Sequence, residues 1–334
     1  MASAALVVSD SWKGVLVDIS KCIGCRRCEF ACKEAAQKAA EIRANGIIEK
    51  KANELGVEKD NVRASFTARD ELRQAALFKP DPIERFEDKS IFDEERLRRP
   101  EPHCHTKINR FPNPKDETKP LYVKVNCFHC NKPSCVSACI VGAFRKLDNG
   151  AVIYDAWKCM GCRYCMVACA FGIPQYEYDN LLTPQVRKCT LCSDQGNLLD
   201  PELPDGHPNK GDVPACIKIC PQDVMTYGKR SDLLALAHER IRTEPDTYVD
   251  HVYGEHEVGG TSWLYLAPKE KPFTDLGFLD LDSSAPPLRT EGIQHGVFKF
   301  FVPPVAWYGL LGAMMWITRP NPNEAGQASS EDHH

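Results

Sequence analysis

The chain has 334 residues, 43% of them hydrophobic and 26% charged, enough apolar content to bury a core. A formal net charge of −4, with no Lys/Arg-rich run interleaved with aromatics, excludes nucleic acid as the partner. There are seventeen cysteines, and their spacing carries the rest of the reading.

Residues 1–10 contain only Ala5-Leu6-Val7-Val8 as an apolar patch, with no basic n-region and no twin arginine, so the expectation is a chain without an export signal of its own. Residues 14–20 read as a strand that delivers the chain to Cys22, Cys25, Cys28 and Cys32. Their spacing is C-x2-C-x2-C-x3-C. It places three thiolates on one tight loop and the fourth a helical turn further on, which suits a cubane cluster whose neighbour borrows the fourth ligand. Lys21, Arg26, Arg27 and Lys33 surround the group. Cations there would raise the potential of a cluster; the plainer reading is of solvated side chains.

Residues 33–120 read as a charged, partly helical insertion, with helical periodicity over 34–51 and 69–78 and breaks at Pro80, Pro82, Pro100, Pro102, Pro112 and Pro114. It could cover the clusters, dock a partner subunit, or simply be solvated. Inside it, His103-Cys104-His105 fits neither a zinc motif nor the C-x-x-C-H haem motif, so Cys104 reads as a free or buried thiol.

An inner unit, 121–186, opens with a strand at Leu121-Tyr122-Val123-Lys124-Val125 and carries Cys127, Cys130, Cys135 and Cys139. A hairpin over 143–154 follows, turning at Asp148-Asn149-Gly150. Cys159, Cys162, Cys165 and Cys169 then repeat the first spacing, and Phe171-Gly172-Ile173-Pro174 should pack the far side of a cluster. This is the layout of a two-cluster bacterial ferredoxin. Cys189, Cys192, Cys216 and Cys220, the last followed by Pro221, form a fourth group with a loop over 196–213 inside it. A closing strand at 224–227 should pair with the strand at 15–18 and bring the first and fourth groups together. The outer unit is therefore 1–32 plus 187–230.

In the C-terminal extension, 231–296, Ser231 should cap a helix over 232–242 that buries Leu233, Leu234, Leu236 and Ala237, and Trp263–Leu266 should be a strand. The uncharged run from Phe300 to Ile317, between Lys299 and Arg319, reads as a transmembrane helix within 297–318. It lies at the short end of the roughly 20 residues a span needs. Pro303 and Pro304 are tolerable in its first turn. Residues 319–334 form a polar tail. The expected fold class is α+β: two nested bacterial-ferredoxin-like dicluster units, a helical insertion and one C-terminal transmembrane helix.

Two alternatives use the same cysteines. A disulfide framework would enclose very short loops and is not needed by a chain of this length. Zinc could occupy the fourth group taken alone, but does not explain a third cysteine three residues after the second in two of the groups. Nothing points to a substrate site: there is no Gly-rich phosphate loop, nucleophile elbow or H-E-x-x-H.

The four cysteine groups, the segment Gly161-Cys162-Arg163-Tyr164-Cys165-Met166-Val167-Ala168-Cys169, the segment Tyr253-Gly254-Glu255-His256-Glu257-Val258-Gly259-Gly260-Thr261 and Ile293-Gln294-His295 resemble the four-cluster iron–sulfur subunits of membrane-bound respiratory oxidoreductases. Within them the chain is most similar to the hydrogenase-2 type and to the beta subunit of formate dehydrogenase N/O. The resemblance implies four [4Fe-4S] clusters: one on Cys127, Cys130, Cys135 and Cys169, one on Cys159, Cys162, Cys165 and Cys139, one on Cys22, Cys25, Cys28 and Cys220, and one on Cys189, Cys192, Cys216 and Cys32. It implies an electron-transfer subunit between a catalytic large subunit, nickel–iron hydrogenase or molybdenum/tungsten formate dehydrogenase in type, and an integral membrane quinone-reactive subunit. It further implies membrane lipid as a partner and a place at the cytoplasmic membrane, the cluster domain reaching the periplasmic side by co-export. The alternatives are the iron–sulfur subunit of a quinol-oxidising terminal reductase and a soluble polyferredoxin.

Overall fold

A strand rich in Val and Leu, buried on both faces, ties the two ends of the cysteine array together. In the computed structural model the described residues are 11–36, 49, 52–54, 56, 58, 92, 97–102, 104–155, 158–178, 185–193, 213–287 and 304–318. The strands in chain order are β1 (Lys13–Asp18), β2 (Thr106–Phe111), β3 (Leu121–Asn126), β4 (Phe144–Lys146), β5 (Val152–Tyr154), β6 (Gln175–Tyr176), β7 (Val186–Arg187), β8 (Met225–Lys229) and β9 (Trp263–Leu266). The helices are α1 (Ser134–Ser137), α2 (Tyr164–Ala168), α3 (Ala215–Lys218), α4 (Arg230–Thr243) and α5 (Pro304–Ile317). A further helix runs through 27–36.

β8 pairs antiparallel with β1, Val15 opposite Tyr227 and Val17 opposite Met225. This is the partner expected of the closing strand. β9 joins the other edge parallel to β1, Val15 alongside Trp263, a pairing the sequence did not announce. Because side chains alternate across a strand, Val15 and Val17 enter the main core while Leu16 enters a second one with Leu233, Ala237, Ile241, Leu264 and Leu266. Each fully buried Leu there contributes about 1.5–3 kcal/mol. The 143–154 hairpin is present as β4 and β5, with Lys146 opposite Val152.

Three expectations change. Helix α4 begins at Arg230, directly after β8, and the Ser231 hydroxyl lies within the first turn on Asp232 rather than capping it. The start is set by Arg230, whose buried guanidinium donates to the carbonyls of Thr261, Gly254 and Glu255. Its buried stripe is Leu233, Ala237 and Ile241, spaced four apart, with Leu234 and Leu236 only partly covered. Second, the end of the insertion is a strand: β2 pairs antiparallel with β3, Ile108 opposite Lys124. The periodicity at 69–78 lies outside the described residues, as does most of 34–51.

Third, residues 288–334 form a unit separate from 1–287, and its helix α5 has 14 residues beginning on Pro304. At 1.5 Å per residue that is about 21 Å against about 30 Å of bilayer hydrocarbon. No helix among the described residues is long and apolar enough to cross a membrane. Of the expected 18-residue span, Pro304–Ile317 is the described helix, with Pro304 in the first turn, where a proline is tolerated. Residues 297–303 lie outside the described set. Tyr308, Met315, Trp316 and Ile317 on α5 are each more than two-thirds exposed.

The Gly259-Gly260-Thr261 segment braces the first cysteine loop of the inner unit. Asn131 N–H donates to Gly260 O (2.9 Å), Asn131 Nδ2 to Gly259 O (3.3 Å), and Ser262 N–H to Phe128 O (3.0 Å). Gly260 has φ +87°, and a Cβ placed there would stand 2.5 Å from Asn131 Nδ2 and 2.8 Å from Glu255 O. A side chain there combines left-handed strain with a clash, so Gly260→Ala should destabilise the chain by about 1–3 kcal/mol and reduce its iron content. A thermal melt within experimental error of wild type would refute the bracing role.

Candidate iron–sulfur centres

All seventeen cysteines are free thiols, which removes the disulfide reading. Their loops share one backbone feature. The residue immediately before the second cysteine of each group, Gly24, His129, Gly161 and Leu191, has φ of 69°, 50°, 75° and 58° respectively. For the two that are not glycine such a conformation is sparsely populated and costly. The fourth group thus turns its loop as the other three do. The short helices α1, α2 and α3 then carry Cys135, Cys165 and Cys216 inward.

The thiols fall into four sets. Cys22, Cys25, Cys28 and Cys220 line one hollow of about 410 Å³. Cys127, Cys130, Cys135 and Cys169 line another of about 460 Å³. Burial raises Cys32 well above the usual thiol range, Cys104 raises it further, and Cys189, Cys216 and Cys192 are close enough to do so as well. Burial likewise pushes Cys165 up to about 12, with Cys159, Cys139 and Cys162 adding to the effect. In each set the fourth thiol comes from another group: Cys220, Cys32, Cys169 and Cys139. With clusters bound, such sets would exchange ligands as paired ferredoxin clusters do.

Burial favours the neutral thiol at Cys32 and Cys165, and a thiolate there would need a cation to share its charge. Among the described residues no group of three or more His, Cys, Asp or Glu is arranged to hold a metal ion. A tetrahedral zinc site, with Zn–S near 2.3 Å, draws its sulfurs to within about 4 Å of one another. A cube of four irons and four sulfides stands its thiolates farther apart, and a four-thiol hollow fits that larger group. His129 supports the fit. Its Nδ1 accepts from Val152 N–H (2.9 Å), which assigns the ring proton to Nε2. Among the described residues Nε2 finds no acceptor, although the residue is fully buried on the wall of the Cys127–Cys169 hollow. Burial and the nearby Lys188 and Lys146 keep this imidazole neutral, so it offers one donor to an acceptor in that hollow.

The sets follow one another in a line. Cys192 and Cys189 of the second set both feel Cys216, and so does Cys28 of the first. Cys189 in turn feels Cys127, and Cys135 feels Cys165. The order is therefore the Cys22 set, the Cys32 set, the Cys127 set and the Cys139 set. Cys162, in the last, is the one exposed cysteine. Exposed apolar side chains lie near it in the chain, Met160 (58%), Tyr164 (59%) and Val167 (84%), and Ile140, next to Cys139 of the same set, is 74% exposed.

Of the cations expected around the first group, Lys21 and Arg27 are exposed, whereas Arg26 and Lys33 are buried. Arg26 pairs with buried Glu29. Cys104 is completely buried, its thiol donating to Thr106 O (3.0 Å). His105 Nε2 lies on Pro102 O, and His103 lies outside the described residues.

Sequence reasoning missed the buried lysines. Lys188 Nζ donates to Cys189 O (2.8 Å) and to Val152 O, and Lys124 Nζ donates to Thr106 Oγ1 (2.5 Å) and Asn126 Oδ1 (3.1 Å). Burial would push both ammonium groups down, but any negative charge on the cysteine sulfurs around them acts the other way and raises them. Lys146, on Cys130 O and Gly150 O, goes the other way, lowered to about 8 by burial.

Residues 118–230 match the family model of the 4Fe-4S dicluster domain. The hydrogenase-2 operon protein HybA of Escherichia coli O157:H7 is 34% identical over 241 residues, 65% of this chain and 69% of that protein. The chain belongs to this family of 4Fe-4S iron–sulfur proteins. A protein of Nitratidesulfovibrio vulgaris is 36% identical over 285 residues, 85% of this chain, which spans 61% of that relative's length. The iron–sulfur subunit of the nitrate-inducible formate dehydrogenase of Escherichia coli K12 is 28% identical over 327 residues, 96% of this chain and 89% of that subunit. Membership in the 4Fe-4S family gives the thiol hollows their cofactor class, and mixed helix and strand around a dicluster core is its fold.

Proposed function

We propose that the chain is the electron-relay subunit of a membrane-bound oxidoreductase, with four [4Fe-4S] clusters held by the four cysteine sets: Cys22, Cys25, Cys28, Cys220; Cys32, Cys189, Cys192, Cys216; Cys127, Cys130, Cys135, Cys169; and Cys139, Cys159, Cys162, Cys165. The observation that carries the proposal is their linear order, each set bordering the next from Cys220 to the exposed Cys162. When bound, the clusters supply one-electron carriers whose potentials depend on charge, hydrogen bonds and burial. The chain contributes the spacing, excludes water from the middle of the line, and offers no substrate site of its own.

Two partners follow. A catalytic large subunit of hydrogenase or formate dehydrogenase type is supported by the names of the relatives. The exposed apolar residues that flank the last set's cysteines in the chain, Ile140, Met160, Tyr164 and Val167, suit the docking of a redox partner at that end of the line. Helix α5, apolar and exposed, suits an apolar phase. We place it in lipid or against an integral membrane quinone-reactive subunit, as an anchor too short to cross by itself. The assembly then sits at the cytoplasmic membrane, its cluster unit on the periplasmic side by co-export with the catalytic partner.

The test is deletion of residues 300–334. The truncated chain should keep its iron and its dye-linked activity with the catalytic partner, yet leave the membrane fraction and fail to reduce quinone. Full membrane retention with unchanged quinone reduction would overturn the anchor.

A further inference from the structure

Two of the three junctions in the line of thiol sets contain a lysine that is buried and, among the described residues, has no carboxylate as a hydrogen-bond or ion-pair partner. Lys188 is 1% exposed. It stands beside Cys189 in the chain with its Nζ on the Cys189 carbonyl, and it lines the hollow of Cys127, Cys130, Cys135 and Cys169. It therefore faces the second and third sets at once. Lys124, 4% exposed, lines the hollow of Cys22, Cys25, Cys28 and Cys220, and it is close enough to Cys216, Cys189 and Cys32 of the second set to interact with them electrostatically. Its ammonium is fixed by Thr106 Oγ1 and Asn126 Oδ1 and lies 4.7 Å over the Trp263 ring.

The acceptors that hold these two ammonium groups are neutral carbonyl, hydroxyl and amide oxygens, so the positive charge is not cancelled locally. In a low-dielectric interior such a charge acts over the width of a junction. The last junction differs. The lysine nearest in sequence to Cys159 is Lys158, 61% exposed and 4.0 Å from Asp155, where solvent and a counter-charge screen it.

We propose that Lys188 and Lys124 are fixed positive charges that each stabilise the one-electron-reduced state of the two clusters they separate, so that the second set receives the influence of both and the Cys139 set that of neither. A buried ammonium without a carboxylate is costly to place in a protein, and a pair of flanking anionic clusters gives it its counter-charge. Neutralising either lysine removes that stabilisation from two clusters and leaves the others unchanged.

This inference rests on the ligand sets proposed above. The experiment is a redox titration, followed by electron paramagnetic resonance, of the anaerobically purified full chain and of Lys188→Gln, Lys124→Gln and Lys188→Arg, with iron measured on each sample. The four signals are assigned with one Cys→Ser variant per set. Lys188→Gln should make reduction of the Cys32-set and Cys127-set clusters about tenfold less favourable, a fall of 59 mV for one electron. Lys124→Gln should do the same to the Cys22-set and Cys32-set clusters. The Cys139-set signal should stay in place in both, and Lys188→Arg should keep wild-type midpoints. Unmoved midpoints in either fully loaded glutamine variant, an equal fall in all four signals, or an arginine variant that falls with its glutamine counterpart would overturn the inference. If Lys188→Gln does not retain its iron, Lys124→Gln decides alone by the same pattern. A wild-type chain lacking iron would sink the ligand sets instead, which keeps the two failures apart.

Discussion

Cys169→Ser is expected to abolish the same cluster signal as Cys135→Ser and to spare the one abolished by Cys165→Ser, although Cys169 is four residues from Cys165 and far in sequence from Cys135. Cys135 and Cys169 line one hollow with Cys127 and Cys130, whereas Cys165 lies among Cys159, Cys139 and Cys162. Each variant should lose up to about four iron atoms. In the assembled complex, loss of either cluster should reduce quinone reduction to background while dye reduction by the catalytic partner persists. Cys169→Ser and Cys165→Ser extinguishing the same signal would mean that ligands are not exchanged between the groups.

Glu29→Ala is expected to be the most damaging change at a position without a thiol. Glu29 lies between Cys28 and Cys32, its side chain 2% exposed. It accepts from Arg98 Nη1 (2.8 Å) and Nη2 (2.9 Å), from Arg26 Nη2 (3.3 Å) and from the backbone N–H of Ile108 (2.7 Å). One carboxylate thus fastens the first cysteine helix to β2 and to the end of the insertion. Removing it deletes a buried carboxylate that pairs with Arg98 and Arg26 and accepts from the Ile108 N–H, which costs about 3–5 kcal/mol, a large part of the roughly 5–15 kcal/mol by which a folded protein is stable. For a unit of this size the melting temperature should fall by roughly 10 °C, with iron lost from the Cys22 and Cys32 sets. The Lys115–Glu270 pair, 71% and 27% exposed, is the control, since surface pairs contribute little. A Glu29→Ala chain that melts within about 2 °C of wild type would show that this carboxylate does not hold the loop.

What was legible in the sequence is what local spacing encodes. Three thiolates within seven residues define a cluster loop wherever the chain goes next, and the strand at Val15 could be paired with Met225–Tyr227 because both flank cysteines that must meet. The bracing by Gly260 was foreshadowed only as a motif; its cause, the close approach of Asn131, lies 129 positions away in the chain and became visible with the fold. Glu29 and Arg98 are separated by the insertion, so nothing in the spacing relates them. Lys124 could have been suspected from its place in the run Leu121–Val125, where a charge interrupts apolar residues, but Lys188 follows Arg187 and reads as half of an ordinary basic pair. Only the fold separates them: Arg187 Nε binds Glu177 at 2.6 Å, while Lys188 turns to the Cys189 carbonyl. The apolar C-terminal run was read correctly as helical, and its length was overestimated because the helix starts at Pro304.

The most direct measurement is the metal and acid-labile sulfide content of the full chain, purified without oxygen, together with its Mössbauer spectrum. About sixteen iron atoms and as many sulfides per chain, all in cubane clusters, are expected of four complete thiol sets. Stoichiometric zinc, or iron confined to one or two clusters when every cysteine is intact, would contradict the account.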